Sequence, residues 1–163
     1  MNIPIHFLRI LKDEKPSRLA VVFDAPGPTF RHHMFEDYKA TREKMPEELK
    51  LQLPYIQQMV EAMNIPYIAK EGFEADDIIG TLAYRVQAQN MEVYMLTGDK
   101  DFMQLLKPNI YMYSLKKRDA LDIINASGPE KKWGVPVKYV IDMLALMGDA
   151  SDNIPGVPGI GEK

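Results

Sequence analysis

Val93-Tyr94-Met95-Leu96-Thr97-Gly98-Asp99-Lys100-Asp101 is an apolar run that ends in a turn and then presents two acids. Four apolar side chains bounded by Thr-Gly read as a short buried strand. The pattern recurs upstream. Leu19-Ala20-Val21-Val22-Phe23 runs directly into Asp24, and Ile65-Pro66-Tyr67-Ile68 is followed, after a short loop, by Glu74, Asp76 and Asp77. Ile110-Tyr111-Met112-Tyr113 reads as a fourth strand.

Helical patterns fill the gaps. A helix opening at Pro46, with Glu47 and Glu48 in its first turn, puts Leu49, Leu53, Ile56, Val60 and Met63 on one face, and Pro54 is placed to kink or restart it. A second, from about Ala75 to Gln89, turns Ile78, Ile79, Leu82, Ala83 and Val86 inward and stops at Asn90. A third follows Pro136, with Val140, Ile141, Leu144 and Met147 inward and Gly148 at its end. Strands alternating with helices predict an α/β fold on a parallel sheet. Ligands of such sheets gather beyond the carboxyl ends of the strands, so three separate loops deliver acids to one edge. Asp149 and Asp152 come from the later segment 147–153, and only the tertiary fold can return them there.

Asp24, Glu74, Asp76, Asp77, Asp99, Asp101, Asp149 and Asp152 are thus candidates for one site. Oxygen donors without cysteine or a spaced histidine pair suit hard cations such as Mg²⁺ or Mn²⁺ rather than zinc. Packed together, carboxylates repel unless a metal neutralises them. Taken singly, each acid also has a structural explanation. Asp76 and Asp77 favour the positive end of their helix, Asp101 is positioned to cap a short helix through Leu106, and Asp24 to make a turn before Pro26 and Gly27. Caps and turns do not require an acid at every strand end, so the set as a whole favours a metal site.

Composition narrows the remaining classes. A chain of 163 residues is long enough for one sizeable core and a small appendage. No run approaches the roughly 20 apolar residues of a membrane span, and the opening residues lack a basic start followed by a small-residue cleavage site. A cytoplasmic chain with no membrane contact is expected. The absence of cysteine excludes a disulfide. A formal charge of -3 argues against a nucleic-acid partner, but setting the eight candidate acids aside takes that charge from -3 to +5. Metal binding would therefore leave a positive surface. Composition and spacing by themselves reach a metal-dependent phosphodiesterase.

Five segments carry a more specific resemblance: Val21 to Arg31 (VVFDAPGPTFR), Tyr38 to Arg42 (YKATR), Gly72 to Asp77 (GFEADD), Thr97 to Asp101 (TGDKD) and Gly148 to Lys163 (GDASDNIPGVPGIGEK). In this order they resemble the 5′ nuclease (5′-3′ exonuclease, flap endonuclease-like) domain of bacterial DNA polymerase I over nearly the whole chain. The resemblance implies a PIN-like α/β fold, two divalent metal ions (Mg²⁺ or Mn²⁺) and removal of 5′ ends or flaps from DNA in primer removal and repair. It implies that Asp24, Glu74 and Asp76, with Asp77 nearby, hold one metal region, and that Asp99, Asp101, Asp149 and Asp152 hold the other.

Substrate handling falls to Phe30–Lys44, where Arg31, His32, His33, Lys39, Arg42 and Lys44 alternate with Phe35 and Tyr38. Such a segment suits phosphate contact and stacking of an unpaired base, and a solvated charged helix is the alternative, because Glu36, Asp37 and Glu43 dilute it. The resemblance implies a helical arch here, with Lys39 and Arg42 on phosphate and Lys39 part of the catalytic set. His32 and His33 receive no metal role. The tail, Gly156, Val157, Gly159 and Gly161, resembles the hairpin of a helix-hairpin-helix element, whose backbone N–H groups approach phosphate. A K⁺ at the hairpin is implied with it. Lys107, Lys116, Lys117, Arg118, Lys131, Lys132 and Lys138 extend the basic surface or simply solubilise it, and Trp133 is expected to anchor packing.

The expected organisation is an α/β nuclease core over residues 1–128 and an incomplete helix-hairpin-helix region over 129–163. Relative to the resemblance, the chain opens in the helix after a first strand that ends in a metal-binding Asp, and it closes where the second helix of the hairpin element should begin. Truncation at both ends, unpaired sheet edges and a separate polymerase portion are therefore expected. Two alternatives stand beside the nuclease reading: a catalytically impaired DNA-binding fragment, and a PIN-type ribonuclease.

Overall fold

The computed structural model describes residues 3–43, 45–115 and 121–161; Lys44, Lys116, Lys117, Arg118 and Lys163, named above as basic or terminal residues, lie outside them. The chain opens with helix α1 (Ile3–Asp13) and strand β1 (Val21–Val22). Next come the short helices α2 (Phe30–Met34) and α3 (Glu47–Lys50), then α4 (Leu53–Ala62), β2 (Tyr67–Ile68), α5 (Ala75–Gln87) and β3 (Val93–Leu96). A 3₁₀ helix (Lys100–Leu105) leads to β4 (Ile110–Leu115), β5 (Leu121–Ile124), α6 (Gly128–Trp133), a 3₁₀ turn (Val137–Tyr139) and α7 (Val140–Met147).

Strands β1 and β2 pair in parallel, with Val21 opposite Tyr67, and β3 and β4 pair in parallel, with Val93 opposite Ile110. The expected single parallel sheet is corrected in two respects. Among the described residues the two parallel pairs form separate sheets, and β5, which the sequence did not disclose, runs antiparallel to β4 with Leu121 opposite Leu115. On its other side β3 meets no strand among the described residues, and Tyr94 and Leu96 are exposed. Helix α5 joins the two halves by packing on β1, β3 and β4.

The core explains why these elements hold together. Ala83 of α5, Met95 of β3, Phe102, Met103 and Leu106 around the 3₁₀ helix, Ile110 and Met112 of β4, and Val140 of α7 form one buried cluster. Ile110 and Val140 are fully buried, each side chain contributing on the order of 2 kcal/mol of transfer free energy. Trp133 packs against this cluster as expected. Ile141, expected to face inward, is 60% exposed. Because Val140 and Leu144 already occupy the inward stripe, the next residue along is rotated about 100° away.

Pro54 restarts the helix rather than kinking it. It sits in the first turn of α4, where a missing N–H costs nothing, after a break at Leu51 and Gln52. Leu49, Leu53, Ile56 and Val60 then line an apolar cavity of about 280 Å³ against Val21 and Phe23. Asn90 adopts a left-handed φ of 58° just past α5, as its stop position requires.

After α7 the chain turns back on itself through two glycines. Gly148 has φ 70°, and a Cβ there would lie 2.3 Å from Gly156 N. A Cβ on Gly156 would lie 2.1 Å from the Met147 carbonyl oxygen, and the Val157 N–H donates to Leu146 O at 2.7 Å. Gly156 and Val157, expected at phosphate, also serve the chain's own close backbone approach. Gly159, with φ +83°, and Gly161 remain exposed in the hairpin.

Gly156→Ala should therefore lower stability by about 1–3 kcal/mol, because the obstructing atoms are backbone. Gly161→Ala, with open space around it, should stay within about 0.5 kcal/mol of the parent. Urea denaturation followed by circular dichroism reads both.

Candidate metal centre

The N-terminus of α5 organises the acids. Asp24, just after β1, accepts a 2.7 Å hydrogen bond from the Ala75 N–H, tying the strand end to the first turn of the helix. Glu74 is the N-cap residue in extended conformation, and its own N–H donates to Asp77 Oδ2 at 3.0 Å. Asp76 projects from the first turn. Positive helix-end dipole and unpaired N–H groups favour carboxylates here, but three acids on one terminus also repel one another.

Two basic groups answer that repulsion. Arg31 binds Asp77 bidentately, with Nη1 and Nη2 each 2.7 Å from one carboxylate oxygen. This charge-assisted fork holds Asp77 below the usual carboxylate range and the Arg31 guanidinium above its own. Lys39 Nζ lies 2.8 Å from Glu74 Oε1 and 3.8 Å from Asp152 Oδ2. The Tyr38 hydroxyl sits between the same two acids, 3.1 Å from Glu74 Oε2 and 3.0 Å from Asp152 Oδ2. Burial, reinforced by these carboxylates, drives the phenol well above its ordinary pKa, so it stays a donor.

Asp152 reaches this position because its loop is fastened to the segment before it. An antiparallel bridge joins Asp149 and Ile154, and the Lys39 N–H donates to Asp152 O at 3.0 Å. The Asn153 side chain donates to Asp37 O at 2.8 Å. The return of the late acids to the strand edge, which spacing left open, is thus made for Asp152. Asp149 accepts from the Ser151 N–H and hydroxyl at 2.8 and 2.6 Å. Burial raises its pKa, but those donors outweigh it and the net shift is downward.

Asp99 and Asp101 sit at the start of the 3₁₀ helix after β3. Asp99, rather than Asp101, is the cap: its Oδ1 accepts from the Asp101 N–H at 2.9 Å. Asp101 Oδ1 is buried with no hydrogen-bond partner among the described residues. Burial, then Asp99 and Asp149, raise the Asp101 pKa, while Lys100 opposes them. Asp76 is an exposed residue, yet partial desolvation in the acidic cleft, followed by Asp99, Asp24 and Glu74, pushes it up to about 6. Asp99 therefore acts electrostatically on both groups of acids, the one at α5 and the one around residues 101–152.

Among the described residues no three His, Asp or Glu side chains converge closely enough to enclose one ion as they stand. The donor set nevertheless fits a hard divalent cation. It is all oxygen, it includes a buried carboxylate oxygen lacking a donor, and its members raise one another's pKa.

In the substrate segment the expected arch helix is corrected, and the other residues take up definite partners. Instead of an arch helix, residues 30–42 form the five-residue α2 followed by turns. Tyr38 is only 6% exposed and hydrogen-bonded to two acids, so it is not free to stack a base. Arg31 is committed to Asp77, and both Asp77 oxygens to Arg31. Lys39 is held at Glu74, whereas Arg42 is exposed. His32 has a structural task that sequence reading missed: its Nδ1 accepts from the Thr29 N–H at 3.1 Å and caps α2. The Thr-x-x-His spacing is a variant of the capping-box signature and was its only local signal.

A family model described as 5′-3′ exonuclease, N-terminal resolvase-like domain, matches residues 4–134. The chain belongs to the 5′-3′ exonuclease family. A second model, 5′-3′ exonuclease, C-terminal SAM fold, matches residues 135–163. DNA polymerase I of Pseudomonas aeruginosa is 46% identical over 156 residues, and that of Bacillus subtilis 43% over 157. Each comparison covers 96% of this chain but only 17% and 18% of the respective relative, so the chain spans less than a fifth of their length. Among solved structures, T5 5′-exonuclease with bound divalent metal ions (zinc) superposes with TM-score 0.80 at 24% identity, covering 98% of this chain and 62% of that one. The catalytic core of Rad2 in complex with DNA substrate gives 0.59 at 23%, covering 98% and 49%. At these identities the likeness shows the fold, which is the expected PIN-like α/β architecture.

The sign of one titration is testable. Asp76 has a folded pKa above its ordinary value, so its ionisation destabilises the fold increasingly as pH rises from about 4 through 6. In EDTA, the melting temperature of Asp76→Asn relative to the parent should climb over that interval and then level off. A flat difference would show that Asp76 ionises without strain.

Proposed function

We propose that this chain is a metal-dependent 5′-3′ exonuclease and flap endonuclease module that hydrolyses DNA phosphodiester bonds at 5′ ends or branches, as part of a DNA polymerase I. The observation that carries this reading is the meeting of acids from three strand ends and from the 149–154 loop around the N-terminus of α5, in a chain of the 5′-3′ exonuclease family. Solved relatives of the same fold bind divalent metal ions and DNA, which supports both partners here.

Asp24, Glu74 and Asp76 would hold one divalent ion, and Asp99, Asp101, Asp149 and Asp152 a second, with Mg²⁺ or Mn²⁺ favoured by the all-oxygen donor set. When bound, such a pair supplies an activated water and Lewis-acid stabilisation of the developing charge on phosphate and leaving oxygen. The chain's own residues do the rest. Lys39 and Arg42 meet the phosphate adjoining the cleaved bond, and the Arg31–Asp77 fork keeps the α5 terminus rigid while its neighbours change partners. The hairpin around Gly159 and Gly161 gives the duplex backbone a sequence-independent contact, with K⁺ as its counter-ion.

This assigns the nuclease core to residues 1–128 and the hairpin region to 129–163. The polymerase portion is the partner implied by the length of the relatives. No described helix is long and apolar enough to cross a membrane, and a cytoplasmic location follows from the proposed role.

Cleavage of a 5′-labelled flap DNA in Mg²⁺, Mn²⁺ or EDTA tests the reading. Metal-dependent cleavage is expected, reduced by on the order of 10²-fold or more in Asp99→Asn with DNA binding retained. The variant keeps a side-chain oxygen for the 3₁₀ cap, so it should fold. Lys39→Ala should weaken binding and cleavage together. Cleavage by Asp99→Asn equal to the parent would remove that acid from the site.

A further inference from the structure

Glu74 is 9% exposed and is approached from three directions. Lys39 Nζ takes Oε1, the Tyr38 hydroxyl takes Oε2, and Arg31 Nη1 stands 3.6 Å from Oε2. The lysine and the tyrosine also reach one oxygen of Asp152. Arg31 differs from Lys39 in that its fork is already closed on Asp77. Lys39 is the cation that lies between two acids from distant parts of the chain.

The backbone aims it there. Lys39 adopts φ +57°, a left-handed conformation uncommon for non-glycine residues. Its N–H is fixed on Asp152 O and the Asn153 side chain on Asp37 O, so the turn is clamped on both sides. An ammonium is a compact point charge with three donors and no acceptor. The position it fills, between carboxylate oxygens of Glu74 and Asp152, is chemically a cation position. A divalent ion at either acid, drawing on the oxygens of Glu74 or of Asp152, would meet the ammonium as a like charge at short range and outcompete it with twice the charge.

Resting on the metal-dependent reading above, we propose that Lys39 is an internal counter-ion for Glu74 and Asp152, exchanged outward when a divalent cation binds. The lysine becomes available to a substrate phosphate only after that exchange, which orders cation loading before productive phosphate contact. Tyr38 remains as the neutral bridge between the two acids, its hydroxyl having no charge to repel the ion.

Amine reactivity tests this without relying on cleavage. The 163-residue chain is reductively methylated for short times in EDTA or in saturating Mg²⁺, and the rates at Lys39 and at the exposed Lys12 are read by peptide mass spectrometry. The rate at Lys39 should rise roughly five- to tenfold in Mg²⁺, the change expected from losing a part-buried ion pair, while Lys12 is unchanged. Glu74→Gln should raise the Lys39 rate in EDTA by a similar factor; the parent comparison decides the matter if that variant does not fold. A Mg²⁺-dependent rise in melting temperature with an unchanged or slower Lys39 rate would overturn the exchange while leaving the metal reading intact. No Mg²⁺ effect on melting temperature at any concentration would overturn both.

Discussion

A carboxylate as deeply enclosed as Glu74 has to be matched by charge or by donors, because the protein around it cannot solvate it as water would. Lys39, Tyr38 and Arg31 provide that match, and each comes from the segment between β1 and α3. Other contacts hold the segment in place for this task. Phe30 N–H is fixed on Gly72 O beside the α5 terminus, His32 caps α2, and Lys39 accepts a left-handed backbone. From a stretch that is otherwise largely exposed, Arg31, Tyr38 and Lys39 turn inward to line the acidic cleft.

The scaffold beneath is built to keep that wall still. Helix α5 is held by the main core through Ala83 and Ile79, and its first turn is held from outside by Asp24 and by the Arg31–Asp77 fork. The 3₁₀ helix that carries Asp99 and Asp101 is seated by Phe102 and Met103 in the same core. Acids from two groups are thereby mounted on one core, and burial, followed by the repulsion of neighbouring acids, raises the pKa values of Asp76 and Asp101. Preorganised repulsion of this kind favours a ligand of opposite charge, since such a ligand relieves energy already stored in the fold.

The late loop is the least local part of the design. Two glycines allow the backbones of α7 and the following hairpin to approach more closely than any side chain would permit. That approach turns the chain so that Asp152 returns to Glu74. Residues assigned from the resemblance to phosphate, Gly156 and Val157, are used for this reversal, and Tyr38 and Arg31 are likewise used to hold acids. In each case a residue type suited to DNA is engaged first by the protein's own charges or backbone.

Local periodicity was sufficient for most elements. The strands at 93–96 and 110–113, the helix from Ala75, the restart at Pro54 and the stop at Asn90 are legible because each depends on side chains within a few residues of one another. The family was legible too, because five segments that resemble it stand in its order along the chain. Strand β5 was not, for its pairing with β4 is a tertiary choice that no turn signal marks. Ile141 shows the same limit, since which stripe of an apolar helix faces inward depends on what it packs against. The sequence by itself determined the α/β class and the eight candidate acids. Only the tertiary structure decided which cation stands beside which acid, because that pairing is set by through-space distance, and residues 39, 74 and 152 have no neighbourhood along the chain.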